Sequence, residues 1–444
     1  MTSRIAEKMT EKQVTEMWQS LLGTGCPLKT ESGQSLSVIY PGKSSDTPGS
    51  DFQDAVVNIG GQTIKGNIEV HVKSGDWRTH GHNRNPAYNS VVLHVVMWQD
   101  SRNEIALQNG LLIPTVILGN HQLNSPAPTL SSAVPCSGIT REGKRYLEIL
   151  DKMGTERFYE KVSRFHSDLE LGEAGQCLYS GIMQALGYTS NKDAFLTLAQ
   201  KLPLSVLELN TSRCLYDIDR LAGLQVLLMG TAGLLPRQRS VDLREVSDST
   251  YVNELEAQWR NKDYRNSMSV KDWQTFHVRP GNSPLRRMAG MCLLLQRYQV
   301  TGLLDGLVQL VWEVTPEKSR GQLEMGLIVR GDDYWTSHFD FYKKCAGLSP
   351  WLIGPDRASD IVINVLLPFT CAWSKKNGWE ELAEKAEALF QSYPALATNT
   401  IERHMRTQFG LKGVQVNSAR RQQGLLHLYK KWCIQGRCGE CEVV

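Results

Sequence analysis

The chain has 444 residues, of which 41% are hydrophobic and 21% charged, and it carries a net charge of +3. That length exceeds one ordinary core, so two or three domains are expected. The small net charge excludes bulk coating of nucleic acid but not a local basic patch. No apolar run reaches the length of a membrane span, and the polar start MTSRIAEKMTEKQ has the pattern of neither a signal nor a transit peptide. Seven of the ten cysteines, Cys177, Cys214 and Cys292 among them, are scattered singly among apolar residues. They fit buried thiols in a reducing compartment, so a cytoplasmic protein is expected.

The elements follow in chain order. Val14, Met17, Trp18 and Leu21 recur at helical spacing and predict a helix over 5–22. Short strands follow. Leu36–Tyr40 is β-rich and stops at Pro41-Gly42, and Asp54–Ile59 ends at the turn Gly60-Gly61. Ile64–Val72 is the next strand. Val91–Val96 is apolar on both faces, as a central strand would be. Residues 83–89 between these two read as a short helix. The Pro- and Ser-rich stretch 122–139 reads as a linker. Beyond it the texture is helical, with examples at Lys144–Met153, Glu156–Leu169, Leu285–Arg297 and Glu380–Gln391, interrupted at Gly354-Pro355-Asp356 and Pro394.

The stretch between Asp51 and His94 carries the chemistry. On a strand, side chains at i, i+2 and i+4 share a face, so Glu69, His71 and Lys73 line one side while Ile68, Val70 and Val72 bury the other. Asp51 lies one hairpin earlier and is expected to meet Glu69 across adjacent strands. Two converging carboxylates make an oxygen-rich pocket suited to Mg²⁺ or Mn²⁺. Such an ion polarises a phosphodiester and acidifies bound water, which His71 or Lys73 would orient or activate. Four of the ten histidines, His71, His80, His82 and His94, fall in this one segment, with Trp77 and Tyr88 among them. His80, His82 and Tyr88 are candidates for substrate contact. Alternatively, histidines join Asp51 or Glu69 at a metal, which favours Mn²⁺, Zn²⁺ or Fe²⁺. In a third reading they form, with Asp76, a hydrogen-bonded network that fixes the 74–90 loop. His94, inside an apolar strand, reads as structural.

An acid after a β-hairpin approach, followed by an acid-x-Lys pattern on the next strand, resembles the PD-(D/E)xK, restriction-endonuclease-like nuclease superfamily. Two departures stand out: Ser50 occupies the position of the family's Pro, and His71 that of its Lys. The resemblance implies a helix, a mixed sheet of about four strands and a second helix, and a metal-dependent nuclease acting on DNA or RNA. A second resemblance covers nearly the whole chain. Gly66-Asn67-Ile68-Glu69-Val70-His71, Asp76-Trp77, His80-Gly81-His82, Ala87-Tyr88-Asn89, Leu93-His94-Val95-Val96, Leu202-Pro203-Leu204, Gly230–Leu235, Arg279–Pro284 and the Cys-rich end are similar to a bacterial family defined only as a domain of unknown function.

The tail reads Cys433-x4-Cys438-x2-Cys441, a metal-like spacing in which three thiolates want a fourth ligand. His427, Cys345, Cys371 and Cys26 are the candidates for that fourth place. The triplet with Cys26 upstream also resembles the iron–sulfur staple of some PD-(D/E)xK exonucleases, so a structural Zn²⁺ or iron–sulfur cluster is expected. Residues 401–444 hold eight Lys and Arg against three Glu, and Arg279, Arg286 and Arg287 add charge nearby in sequence, with Arg279 a candidate for substrate binding. These cations would neutralise phosphates.

The expectation is an α+β protein. Residues 1–125 form a restriction-endonuclease-like mixed sheet flanked by helices, and 140–444 form a mostly α-helical region with a Cys-rich end. The function expected is a metal-dependent phosphodiesterase. The rivals are a degenerate nuclease core that binds nucleic acid or a protein, favoured by His71, and a His/carboxylate metalloenzyme of another class.

Overall fold

The computed structural model describes residues 9–22, 28–44, 49–101, 104–120, 143–213, 216–240, 249–260, 267–275, 278–315, 319–331, 333–409 and 416–443. The expected linker 122–139 and Cys26 lie outside the described residues. The chain divides into two compact units. One comprises Met1–Gly154, Thr398–Val416 and Arg421–Val444, and the other Thr155–Ala397 and Asn417–Arg420. The sheet unit therefore includes most of the C-terminal segment, which falls within the 140–444 region expected to be helical.

The sheet unit opens with helix α1 (Glu11–Leu22). Strands β1 (Leu28–Lys29), β2 (Ser35–Tyr40), β3 (Lys43–Ser44), β4 (Phe52–Ile59) and β5 (Gln62–Lys73) follow. A short helix α2 (Asp76–Thr79) and two 3-10 turns (His82–Arg84 and Pro86–Tyr88) lead to β6 (Val91–Trp98). Strands β7 (Ile105–Ala106), β8 (Leu112–Ile113) and β9 (Thr115–Ile117) complete it. The main sheet runs β1-β2-β4-β5-β6-β9, with β3 also paired to β4. β1, β2, β4 and β5 are antiparallel neighbours, whereas β5–β6 and β6–β9 are parallel. The expected adjacency of the 64–73 and 91–96 strands holds, with Glu69 opposite His94 and His71 opposite Val96.

The alternation of β5 decides its two faces. Val14, Trp18 and Leu21, the apolar stripe of α1, pack in one core with Ile68, Val70, Leu93 and Val95. Each fully buried apolar side chain of that kind contributes roughly 1.5–3 kcal/mol. Gly66 is required where β5 starts its run beside β6. A Cβ there would lie 2.3 Å from Val92 Cγ1 and 2.5 Å from the Ser90 carbonyl.

The C-terminal segment joins this unit through its own stripe. Helix α3 (Gly143–Leu171) is continuous where two helices were expected. Gly154 costs about 1 kcal/mol relative to Ala in a helix interior, but apolar residues continue on both sides of it. Tyr146, Leu150 and Met153 share a core with Tyr40, Val56, Leu425, Leu428, Tyr429 and Trp432. An apolar stripe on the last helix needs a partner, and the back of the sheet supplies it.

The second unit is helical around one extended core that takes in Phe165, Ile182, Leu228, Met288, Leu307, Phe369 and Leu389. It contains α4 (Leu303–Glu313), α5 (Leu367–Lys376) and α6 (Glu380–Ser392), with a π-helical turn Val362–Leu366 leading into α5. Pro355 occupies the first turn of the helix Pro355–Ile361, a position that does not need its missing N–H. Back in the sheet unit, α7 (Thr400–Gln408) and α8 (Ala419–Lys431) close the chain, although the first two residues of α8 group with the helical unit. Among the described residues no helix is long and apolar enough to cross a membrane.

Candidate metal centre

The polar face of β5 is covered instead of lying open to solvent. The segment 74–90 folds over it and is pinned at several points. Asp76 Oδ2 accepts the Lys73 N–H at 2.9 Å, and Asp100 Oδ1 accepts the Gly75 N–H at 2.8 Å. Trp77 is fully buried, and its indole donates to the Ala106 carbonyl at 3.1 Å. Gly81, at φ 76, provides the left-handed turn between His80 and His82. Both imidazoles are thereby presented from one short turn. Glu69, His71 and His82 end up 5%, 1% and 8% exposed.

Three ligand atoms converge there. His71 Nε2 lies 3.2 Å from His82 Nε2, His82 Nε2 lies 3.3 Å from Glu69 Oε1, and His71 Nε2 lies 3.7 Å from that same oxygen. Metal–ligand bonds of about 2.0–2.2 Å place neighbouring ligand atoms about 3.0–3.6 Å apart. In the plane of the three atoms, the point equidistant from them lies about 2.0 Å from each, the shortest such distance. His80 groups with the two imidazoles: one ligand atom each from His71, His80 and His82 falls within 4.8 Å of the others. His80 stands at the exposed edge, its Nδ1 3.8 Å from Glu11 Oε1 on α1.

Outer contacts fix the inner ones. His71 Nδ1 is 2.9 Å from His94 Nε2, and His94 Nδ1 is 3.5 Å from Thr115 Oγ1. If Nε2 of His71 is to offer a lone pair, Nδ1 must carry the proton and donate to His94, which then holds its own proton on Nδ1 facing Thr115. Asp51 and Glu69 are locked reciprocally. The Asp51 N–H donates to Glu69 Oε2 at 3.2 Å, and Asp51 Oδ2 accepts the Val70 N–H at 2.8 Å. Tyr88 lies across His82, ring centroids 3.8 Å apart.

The electrostatics suit a cation. Burial pushes His71 down to about 2, reinforced by His94, His82 and His80, and pushes His94 down to about 3. Both imidazoles are therefore neutral at ordinary pH, the form that binds metal. Burial also raises the carboxyl groups of Asp51 and Glu69, an effect only partly countered by the Val70 N–H for Asp51 and by a hydrogen bond from His82 for Glu69. A divalent cation would stabilise both carboxylates in their charged form.

Several expected participants sit elsewhere. Lys73 is half-buried at the end of β5, where its backbone N–H is taken by Asp76. Arg279 is exposed in the helical unit, at the start of the turn Pro280–Asn282. Arg286 and Arg287 do not form a phosphate-facing patch. They are 0% and 5% exposed, and their planar forks donate to the carbonyls of Trp335, Ser349, Trp351 and Leu352. The basic tail is partly committed as well, with Arg406 paired to Glu402, Arg421 to Asp151 and Arg437 to Glu440.

The tail cysteines are engaged in packing and in backbone contacts. Cys433 and Cys441 are buried in the core with Trp432 and Val443, and Cys438 Sγ is 3.9 Å from the Ile39 carbonyl. Burial raises the thiols of Cys438 and Cys441, which favours the protonated form. Among the described residues these three do not form a group of converging ligand atoms; His71, His80 and His82 do. Cys345 and Cys371, proposed as a fourth ligand, belong to the helical unit.

Glu11 and Thr115 escaped the sequence reading. A single acid in the first turn of a helix carries no signal beyond the helix dipole, and a Thr in a strand carries none.

No curated protein and no solved structure matches the chain. Residues 11–399 match the family described as "Protein of unknown function (DUF2851)". That span includes every residue of the histidine–carboxylate cluster, and the chain belongs to this family.

Proposed function

We propose that the sheet unit holds one divalent transition-metal ion on Glu69, His71 and His82, with His80 as a further ligand, and that the protein is a metal-dependent phosphodiesterase acting on nucleic acid. The observation that carries this reading is the 3.2–3.7 Å triangle of His71 Nε2, His82 Nε2 and Glu69 Oε1. Two imidazoles and one carboxylate favour Mn²⁺, Zn²⁺ or Fe²⁺ over the Mg²⁺ expected from two carboxylates alone. When bound, such an ion lowers the pKa of coordinated water and polarises a phosphoryl oxygen. Asp51, held by the Val70 N–H and raised by burial, would be the residue to take up or return a proton during hydrolysis if that ion is bound. His94 and Thr115 hold His71 in the ligating tautomer. Tyr88 packs on His82 and limits water.

The substrate class rests on two supports. The antiparallel β2-β4-β5 series followed by parallel β6 agrees with the mixed sheet that the PD-(D/E)xK resemblance implies. Arg78 and Arg84 are exposed on the same segment as His80 and His82, where their charges can meet phosphates. A second reading, a metalloenzyme of another class, is favoured by the two-histidine, one-carboxylate set, which is also an iron-oxygenase ligand type. The test is cleavage of single- and double-stranded DNA and RNA with Mg²⁺, Mn²⁺ or Zn²⁺, comparing wild type with Glu69→Gln. Metal-dependent cutting that disappears in Glu69→Gln supports the phosphodiesterase. Tight metal binding without cutting on any of the four substrates favours the second reading.

A further inference from the structure

The helical unit contains a groove that the metal centre does not use. Its volume is about 690 Å³, and Asp305, Trp312, Trp373, Trp379, Glu380 and Glu381 are among its lining residues. The sequence builds it locally. Asp305, Val308, Gln309 and Trp312 recur at i, i+3, i+4 and i+7 on α4, so they share one face. Trp373 comes from the last turns of α5, and Trp379 from the position just before α6. The two indoles meet edge to face, with ring centroids 4.7 Å apart and planes at 89°. They form an aromatic corner. Trp312 and Trp379 nevertheless remain 45% and 47% exposed, a costly state for the largest apolar side chains.

The acids have an ordinary role as well. Glu380 and Glu381 lie in the first turn of α6, and Asp305 in the first turn of α4, where negative charge is favoured. That role does not require indoles standing in water beside them. Among the described residues no Lys, Arg or His belongs to the lining itself. One cation does use its aromatic wall: Lys385 Nζ lies 5.6 Å from the Trp312 ring centroid and donates to the Trp312 carbonyl. The Trp312 face thus already has an ammonium group of the protein beside it. Indole faces attract cations through their quadrupole, and the nearby carboxylates of Asp305, Glu380 and Glu381 add long-range attraction.

We propose that this groove binds a methylated ammonium group, with Trp312, Trp373 and Trp379 as the cage and Asp305, Glu380 and Glu381 as the charge complement. A methylated head group matches the site better than a bare ammonium, because it is weakly hydrated and covers apolar surface while keeping its charge. The group can arrive as a free small molecule or as a methylated lysine side chain of a peptide. Both share this chemistry.

The full-length protein is titrated with tetramethylammonium, choline and a trimethyl-lysine peptide while tryptophan fluorescence is followed. The neutral isostere 3,3-dimethylbutanol serves as the uncharged control. The expected result is saturable quenching by the cations, with the isostere about tenfold weaker or worse. Trp379→Ala and Trp312→Ala should each lose about tenfold in affinity, and the milder Trp312→Phe and Glu381→Gln about threefold, with unchanged circular dichroism. A peptide that binds more tightly than choline identifies the side-chain source, and the reverse order identifies the small molecule. Equal binding of the neutral isostere, or no saturable change with any of the three cations, overturns the proposal.

Discussion

His94 Nε2 sits 2.9 Å from His71 Nδ1, deep in the parallel pair β5–β6, and this contact leaves Nε2 of His71 facing His82 and Glu69. A buried imidazole that looks like packing is therefore the group that would set the tautomer of the proposed ligand His71. His94→Ala removes that partner without touching the three converging atoms. Metal affinity should fall by about 10–100-fold, the usual cost of losing such an outer partner. Calorimetric titration with Mn²⁺ or Zn²⁺ checks it, and unchanged affinity would show that His71 needs no help from His94.

Glu11 approaches the centre from α1, 3.8 Å from His80 Nδ1. Both side chains are nearly half exposed, so their direct attraction is weak. Glu11→Gln should leave folding intact and weaken metal binding only about threefold, through the orientation of His80. A loss as large as that of Glu69→Gln would make Glu11 a ligand in its own right.

Gly66 separates packing from chemistry. In Gly66→Ala the new methyl meets the Ser90 carbonyl and Val92, so β5 and β6 must part. A destabilisation of about 1–3 kcal/mol is expected in urea unfolding. Metal affinity should fall with it, because β5 carries Glu69 and His71 while β6 carries His94. A variant as stable as wild type would mean that the two strands yield freely there.

Acid sensitivity has a distinct marker away from the centre. Burial, helped by Lys43, holds His404 down to about 4, and its Nε2 lies 2.5 Å from the Tyr40 hydroxyl. A histidine depressed in the folded state lets the unfolded chain bind the extra proton first. Its contribution is fully present above about pH 6.5 and is lost as pH falls from there towards 4. Urea midpoints of wild type should therefore drop across that window, and His404→Gln should flatten part of the drop. Parallel curves for the two proteins would assign the acid sensitivity elsewhere.

Much of the sheet was legible because its signals are local. The alternation of Ile68, Val70 and Val72 against Glu69 and His71 set the two faces of β5, and the two-sided apolarity of Val91–Val96 marked β6 as a central strand. The same pattern could not tell a solvated face from a covered one. What covers it is the turn through Trp77 and Gly81, and burial changes carboxylates awaiting Mg²⁺ into a set shared with neutral imidazoles. Long-range pairings left no trace in the sequence either. Tyr429 donates to Asp54 Oδ2 at 2.6 Å across nearly the whole chain, and no periodicity links those positions. Asp54 also adopts φ 60 at the irregular step of the β4–β5 ladder, which a regular strand reading of 54–59 does not contain. Arg286 and Arg287 looked like a basic patch because the sequence does not show which carbonyls need donors.

The central claim concerns which residues hold the metal, and one measurement addresses it directly: the stoichiometry and affinity of Mn²⁺ and Zn²⁺, by calorimetric titration near neutral pH, for wild type, His82→Ala, Glu69→Gln and the triple Cys433→Ser, Cys438→Ser, Cys441→Ser variant. The account predicts one ion per chain at this centre. It predicts at least about hundredfold weaker binding in His82→Ala and Glu69→Gln, and retention of that ion when the tail thiols are gone. An ion that binds His82→Ala and Glu69→Gln as tightly as wild type, and is lost only with the cysteines, would contradict it.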